Sequence, residues 1–301
     1  MSISGNIAMS VLRAVHPGKG SFSNYEKSLK KAKRENERFS FHMPKSRRAE
    51  LRLVENTLKP CLVIRPHNLK YENKVLLYLY GGVTNQWNTQ RRMAIQFALD
   101  AGVETWYPVY PAITEVSVAE SVAYITDIYR RMRERFSNGK IAVNGVSMGG
   151  YFALQIVNTI NREGMDIPMP DLLLAHSAGG IPQSDEDWNE LRRFEARDPM
   201  FSESDLRMVE RLIPHDTPIS KELLAPALGR FTGAPDTYLY YGEEMLAGNA
   251  AGYRRAFAAS GVSSRLHVTI VPNMMHGYSC LPIFPESKQS YYEAIDRIQK
   301  M

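Results

Sequence analysis

The stretch "AVNGVSMGGYFALQ", residues 142–155, decides how the rest of the chain is read. An apolar run stops at Gly145, Ser147 stands among Gly145, Gly149 and Gly150, and a helix-forming run begins at once. The pattern G-x-S-x-G where a strand hands over to a helix is the signature of a strained turn that lifts a serine hydroxyl clear of a sheet. Glycine and serine are common residues, so the weight rests on what surrounds them.

From residue 50 onward, short β-rich runs alternate with longer helical ones. Strands are predicted at 51–57, 61–66, 74–80, 104–109, 140–145, 171–177, 236–242 and 265–271. Helices are predicted at 88–101, 117–137, 148–163, 249–260 and 285–300. Runs such as "KVLLYLY" and "DLLLAHS" are continuously apolar, as strands covered on both faces require. The alternation predicts an α/β class fold, a mostly parallel eight-stranded sheet with helices on both sides. The first two strands are joined by a short link, which predicts an antiparallel edge.

Two segments break the alternation. Residues 1–50 precede the sheet, and an insert at 181–232 separates the strand ending near 177 from the one starting at 236. A structureless loop of that length is improbable in a compact domain, so the insert, punctuated by Pro, is expected to be helical. Leaving the carboxyl edge of the sheet, it would sit above the crevice where α/β proteins bind ligands. The resulting division is a core of 51–180 and 233–301, the insert 181–232, and an N-terminal helical segment 1–50.

Composition narrows the class. The 301 residues are 44% hydrophobic and 23% charged, ordinary for a soluble enzyme-sized protein. No positive segment followed by an apolar core marks a secretory signal, and no run of about 18 apolar residues suggests a membrane span. Cys61 and Cys280 are too few for a disulfide framework and lack metal-ligand spacing, so a cytoplasmic setting is expected. The net charge of +5 is concentrated in residues 26–52, where ten Lys or Arg face four Glu. A run such as "YEKSLKKAKRENERF" reads as one solvated helix of mixed charge rather than a nucleic-acid footprint, so no nucleic-acid partner is expected. No phosphate loop, dinucleotide motif or H-E-x-x-H occurs, and neither metal nor cofactor is expected.

A serine hydroxyl needs a neighbouring base, normally a histidine oriented by a carboxylate, and on this architecture they follow in the order Ser, acid, His. Of the seven histidines, His16 and His42 precede the sheet, His67 follows an early strand, His215 lies in the insert, and His267 sits inside a strand. His176 ends a strand and could line a pocket, but it precedes any matching acid. His276, in "PNMMHGYS" directly after the last strand, stands where the base is required. The acid is expected after the preceding strand, in "YLYYGEEML", where Glu243 and Glu244 both qualify and only one can face His276. Asp185 and Asp187 are a fallback, and simple solvation is the bland account of Glu243. Oxyanion donors are expected from Gly81 and Gly82 in "YLYGGVTNQW" and from the N–H of Met148.

From about residue 74 to 298 the chain resembles the hormone-sensitive-lipase-like family of α/β-hydrolases. "YLYGGV" stands at that family's H-G-G-G motif, "GVSMGG" at G-x-S-x-G-G, "EARDPMFSESDLRMV" at a cap helix, "YYGEEML" at the acid motif and "VPNMMHGYSCLPIFPES" at the histidine loop. The resemblance implies an α/β-hydrolase fold with a cap built from the N-terminal helices and the insert. It further implies Ser147 as nucleophile, Glu244 as acid, His276 as base, and the backbone of Gly82 and Val83 as oxyanion donors. Three positions depart from the pattern: Tyr80 replaces the motif histidine, Val83 its third glycine, and Glu244 the commoner Asp. The implied activity is ester hydrolysis through an acyl-enzyme, on small esters with acyl chains of about two to six carbons. Val83 and the insert's Trp188, Phe194, Met200 and Phe201 would limit ligand length. A non-catalytic receptor on the same scaffold, and lactone or amide hydrolysis by the same triad, are the competing readings. The exposed last strand could pair two subunits edge to edge.

Overall fold

The eight apolar runs are eight strands of one sheet. In the computed structural model, which describes residues 25–55, 59–82, 89–112, 115–212 and 219–301, they are β1 (Ala49–Val54), β2 (Cys61–Pro66), β3 (Lys74–Leu79), β4 (Glu104–Pro108), β5 (Lys140–Val146), β6 (Leu172–His176), β7 (Asp236–Gly242) and β8 (Leu266–Val271). Their order across the sheet is β1-β2-β4-β3-β5-β6-β7-β8. The β1–β2 and β2–β4 pairs are antiparallel, and every later pair is parallel. After β3 the chain steps to one side for β4 and then back across β3 for β5. Strand order therefore reverses between β3 and β5, and ligands of open α/β sheets bind at the carboxyl ends beside such a reversal.

Every residue of β4 and β6 is buried, so helices cover both faces there, and the two-residue alternation of a half-exposed strand is absent. The two edge strands differ: β8 alternates between half-buried and exposed positions along most of its length, and β1 mixes them irregularly. The covering helices are α2 (Thr89–Ala101), α3 (Val118–Arg135), α4 (Met148–Glu163), α8 (Asn249–Ala259) and α9 (Pro285–Lys300). α3 packs on α4, and α2 on α9. α3 starts in a capping box: the Glu120 N–H donates to Ser117 Oγ at 3.2 Å and the Ser117 N–H to Glu120 Oε2 at 2.9 Å. α4 ends at Gly164 in the left-handed conformation.

The insert forms α5 (Asp185–Glu195), α6 (Glu203–Leu212) and α7 (Lys221–Leu224). Its amphipathic helices bury Trp188 and Leu191 from α5, and Leu206, Val209 and Leu212 from α6. The returning leg is fastened to α4 along one helical face. Tyr151 Oη donates to Leu223 O, Gln155 Nε2 to Glu222 O at 2.7 Å, Asn158 Nδ2 to Pro226 O at 2.8 Å and Asn161 Nδ2 to Thr232 O at 3.1 Å. The spacing i, i+4, i+7, i+10 keeps these side chains on one stripe of the helix that begins at the serine turn.

The basic run 26–38 is largely the single exposed helix α1 (Tyr25–Arg38), which buries Ala32 and packs against α6. Lys31 and Glu35 form one of its mixed-charge pairs, at 3.9 Å. β1 runs Ala49–Val54, starting before the predicted 51–57, and Ser46 Oγ accepts the Ala49 N–H at its start. Residues 1–24 of the N-terminal segment lie outside the described residues.

Candidate active site

The serine turn brings backbone against backbone. A Cβ at Gly145 would lie 2.1 Å from Gly149 O, and one at Gly149 would lie 2.2 Å from Leu79 O, so neither position admits a side chain. Ser147 itself sits at φ 55° and ψ −116°, strained for an L-residue, and its N–H donates to His176 O at 2.7 Å. With β6 holding the turn on one side and α4 starting on the other, the hydroxyl stands at the carboxyl end of β5.

The loop after β3 passes directly over it. A Cβ at Gly81 would fall 3.1 Å from Ser147 Cβ and 3.8 Å from its Oγ, which sets the Gly81 backbone beside the hydroxyl. Gly82 adopts φ 116°, a conformation closed to L side chains. The Gly81 carbonyl is held by Gln90 Nε2 at 2.6 Å, a buttress from α2 that no sequence pattern announced. Beneath the loop, Tyr80 and Tyr110 are stacked at 4.0 Å between ring centroids, and each hydroxyl donates to the other's backbone carbonyl. Tyr80, in the place of a motif histidine, is thus part of the scaffold. Val83 lies outside the described residues.

Glu244 and His276 come together. The carboxylate accepts from His276 Nδ1 at 2.5 Å, which assigns the proton to Nδ1 and leaves Nε2 as the basic nitrogen. Glu244 is fully buried and the His276 side chain is 10% exposed. Burial pushes the imidazole pKa down, but the Glu244 charge, its hydrogen bond and the charge of Asp198 outweigh it, and the net shift is upward. The other oxygen of Glu244 accepts from the Ser177 hydroxyl.

Glu243 differs from its bland reading. It is not simply solvated: it pairs with Arg197 and accepts the Asn273 N–H at 3.1 Å, bracing the loop that carries His276. Asp185 and Asp187 stand at the start of α5, where Asp187 pairs with Ser184 and Arg255. His176 does not line the pocket. It is buried in the core between Asn144 Oδ1 at 2.9 Å and Ser279 Oγ at 2.8 Å, and burial pushes its pKa down to about 3. His267 stacks on Tyr238 on the edge strand, and His42 bonds Ser40. His16 and His215 lie outside the described residues.

Asp198 lies in the stretch matched to a cap helix, where the sequence assigns it no role of its own. Its carboxylate accepts N–H groups from Met200 at 2.7 Å, Phe201 at 3.1 Å and Met245 at 2.7 Å, tying the insert to the residue after Glu244. With both oxygens so engaged it is a strut rather than a rival acid. It also sets Phe201, whose ring meets His276 edge-on at 5.0 Å.

Ser147, Met148 and Phe201 line one cavity, closed by Tyr151, Ile181, Leu224 and Leu246. Its free space is about 60 Å³, room for a handful of water-sized groups at roughly 10–15 Å³ each. Among the described residues no cluster of three or more His, Cys, Asp or Glu is arranged to hold a metal, and no helix is long and apolar enough to cross a membrane. The arrangement sets a serine hydroxyl in the wall of an apolar cavity, and Phe201 of that same wall meets the ring of the carboxylate-bound His276.

No curated protein sequence matches the chain significantly. Among solved structures it is similar to hormone-sensitive lipase from a metagenome library, with 19% identity and a TM-score of 0.78 over 100% of this chain and 99% of that one. It is similar also to a crystal structure of EstE5 soaked with p-nitrophenyl butyrate (18%, TM-score 0.77, 100% and 99% covered). An esterase from the bacterial hormone-sensitive lipase family gives 19% and 0.77, with 100% and 98% covered. Identities this low speak for the fold. A family model described as alpha/beta hydrolase fold matches residues 76–280, well over half of the chain, and with the serine turn, sheet order and histidine loop in place the chain belongs to that family.

Proposed function

We propose that the chain is a serine carboxylic-ester hydrolase of the hormone-sensitive-lipase-like kind, acting on small, short-acyl esters. Ser147 Oγ attacks the ester carbonyl while His276 Nε2 takes its proton, and Glu244 stabilises the imidazolium that forms. The oxyanion accepts N–H groups from Met148, Gly82 and Val83, with Gly81 shaping the turn. Collapse of the tetrahedral intermediate expels the alcohol, which takes the proton from His276 and leaves an acyl-enzyme on Ser147. Water, deprotonated by His276, then releases the acid. The observation that carries this reading is the buried Glu244–His276 pair at 2.5 Å, a base whose pKa is shifted upward and whose ring meets Phe201, a residue that lines the same cavity as Ser147.

The cavity supports acyl chains of about two to six carbons. Helices α6 and α7 close its wall with Leu206, Val209, Leu223 and Leu224, and α5 and α1 complete the cap, α1 from behind α6. Two buried free thiols, Cys61 and Cys280, fit a reducing, cytoplasmic setting. The half-exposed edge β8 suits pairing with a second copy, which light scattering on the purified protein checks. The deciding experiment uses a fluorophosphonate probe and a p-nitrophenyl ester panel on wild type and Ser147→Ala. Labelling and turnover should both vanish in the variant; undiminished labelling would remove Ser147 from the reaction.

A further inference from the structure

Among the described residues, the non-glycine residues with positive φ are Ser147, Ser177 and Asn273, at 55°, 51° and 54°. Each stands just beyond the carboxyl end of a strand, β5, β6 and β8 respectively. Strain of this kind persists only where the surroundings hold it, and it gathers at working sites. Ser147 is the nucleophile of the proposed reaction, and the Asn273 N–H is held by Glu243. Ser177 has no part in that mechanism so far.

What Ser177 does follows from its backbone. Consecutive strand residues point to opposite faces, so His176 and Ser177 in a regular strand would diverge. The left-handed turn at Ser177 instead lets both side chains reach the loop that carries His276. Asn144 Oδ1 can only accept, so neutral His176 donates from Nε2 and its Nδ1 accepts from the Ser279 hydroxyl. Ser177 Oγ accepts the Gly277 N–H at 2.8 Å and donates its proton to Glu244 Oε1. Gly277 and Ser279 flank the turn just after the base, and Asn144 lies on the strand that leads to Ser147. Ser177 is completely buried, so no water competes for its hydroxyl.

We propose that Ser177 is a positioning residue of the hydrolytic machinery, its hydroxyl fixing the acid and the base loop to each other. With Oε1 of Glu244 occupied, only Oε2 is left for His276, and the Gly277 bond holds the imidazole at that oxygen. This inference rests on reading Ser147, Glu244 and His276 as the triad.

The role has a pH signature with a definite sign. Among the described residues, the charges acting on His276 are those of Glu244 and Asp198. Asp198 lies across from the pair, while burial raises the pKa of the Cys280 thiol and the Tyr241 phenol and keeps both neutral, and neutral His176 lies behind. The deprotonated pair carries one more negative charge than the protonated pair. Removing a donor to Glu244 disfavours the more negative form, so the apparent pKa of the pair must rise.

The test compares Ser177→Ala and Ser177→Gly with wild type on p-nitrophenyl butanoate, measuring kcat and KM from pH 5 to 9 beside the melting temperature. Both variants lack the hydroxyl, but glycine adopts φ 51° without strain. Both should lose about 10- to 100-fold in kcat, the size of one hydrogen bond to a charged group, with KM within about twofold. The ascending limb of the profile should move to higher pH in both. A glycine variant with wild-type kcat and an unmoved profile would overturn the proposal, whatever the alanine variant does. Ser147→Ala is the control: turnover that survives it breaks the esterase reading itself, whereas turnover lost there and intact in Ser177→Gly overturns only the role of Ser177.

Discussion

Replacing Glu244 by Gln keeps shape and removes one charge, which makes it the sharpest probe of its proposed role as the acid. An imidazolium and a carboxylate with charge centres about 4 Å apart interact by roughly 4 kcal/mol at an effective dielectric near 20. At 1.36 kcal/mol per decade this predicts a loss of about a thousandfold in kcat. The amide adds a mismatch. Glu244 accepts from two donors, His276 Nδ1–H and the Ser177 hydroxyl, and an amide has only one acceptor oxygen. If its NH₂ faces His276, the imidazole is driven to the wrong tautomer, a defect that elsewhere costs about four decades. A loss between about 10³ and 10⁴ is therefore expected. Glu243→Gln removes an ion pair with Arg197, whose side chain is 58% exposed, and should cost no more than several-fold. The pH dependence separates the two further. His276 carries a raised pKa, so in wild type kcat/KM should climb through an apparent pKa above the ordinary imidazole value of about 6.5. Without the Glu244 charge the lowering effect of burial remains, and the limb should move to lower pH. Spectrophotometric turnover of p-nitrophenyl butanoate across pH 5 to 9 reads both quantities. A crippled Glu243→Gln beside a near-normal Glu244→Gln would refute the assignment.

Three further outcomes are expected. Tyr110→Phe leaves the buried Tyr80 carbonyl without its donor, a cost of about 1–3 kcal/mol; with an unfolding entropy of about 2.1 cal/mol/K per residue over 301 residues, the melting temperature should drop by about 2–5 °C in a thermal scan. Gly149→Ala forces a methyl to within 2.2 Å of the Leu79 carbonyl, so it should yield insoluble or inactive protein, and a soluble, fully active variant would mean the serine turn is looser than its contacts indicate. Catalytic efficiency should fall steeply between butanoate and decanoate esters, and Leu224→Ala, which opens the cavity wall, should soften that fall while costing about 2–5 kcal/mol in stability; a flat chain-length profile in wild type would contradict the closed cavity.

The strands, the serine turn and the histidine loop could be read from residue order because their causes are local. Apolar runs of strand length, glycines spaced along a single turn and Ser117 three residues before Glu120 all act within a few residues of chain. Every strand but the first, and the five long covering helices, accordingly fall within two residues of where the residue pattern puts them. The choice between Glu243 and Glu244 is of another kind. Both leave β7 in the same loop, and only the packing of that loop against β6 and the segment after β8 sends one to His276 and the other to Arg197 and Asn273. No pattern of residues marks the roles of Asp198, Gln90 and Ser177, since each acts through backbone groups that local spacing does not place beside it: Met245, Gly81 and Gly277. His176 read as a pocket residue because it ends a strand at the right edge; its ring turns inward to Asn144 and Ser279, from 32 and 103 positions away. Hydrogen bonds across such separations exist only once the sheet has brought its strand ends together, and no local pattern of residues records them.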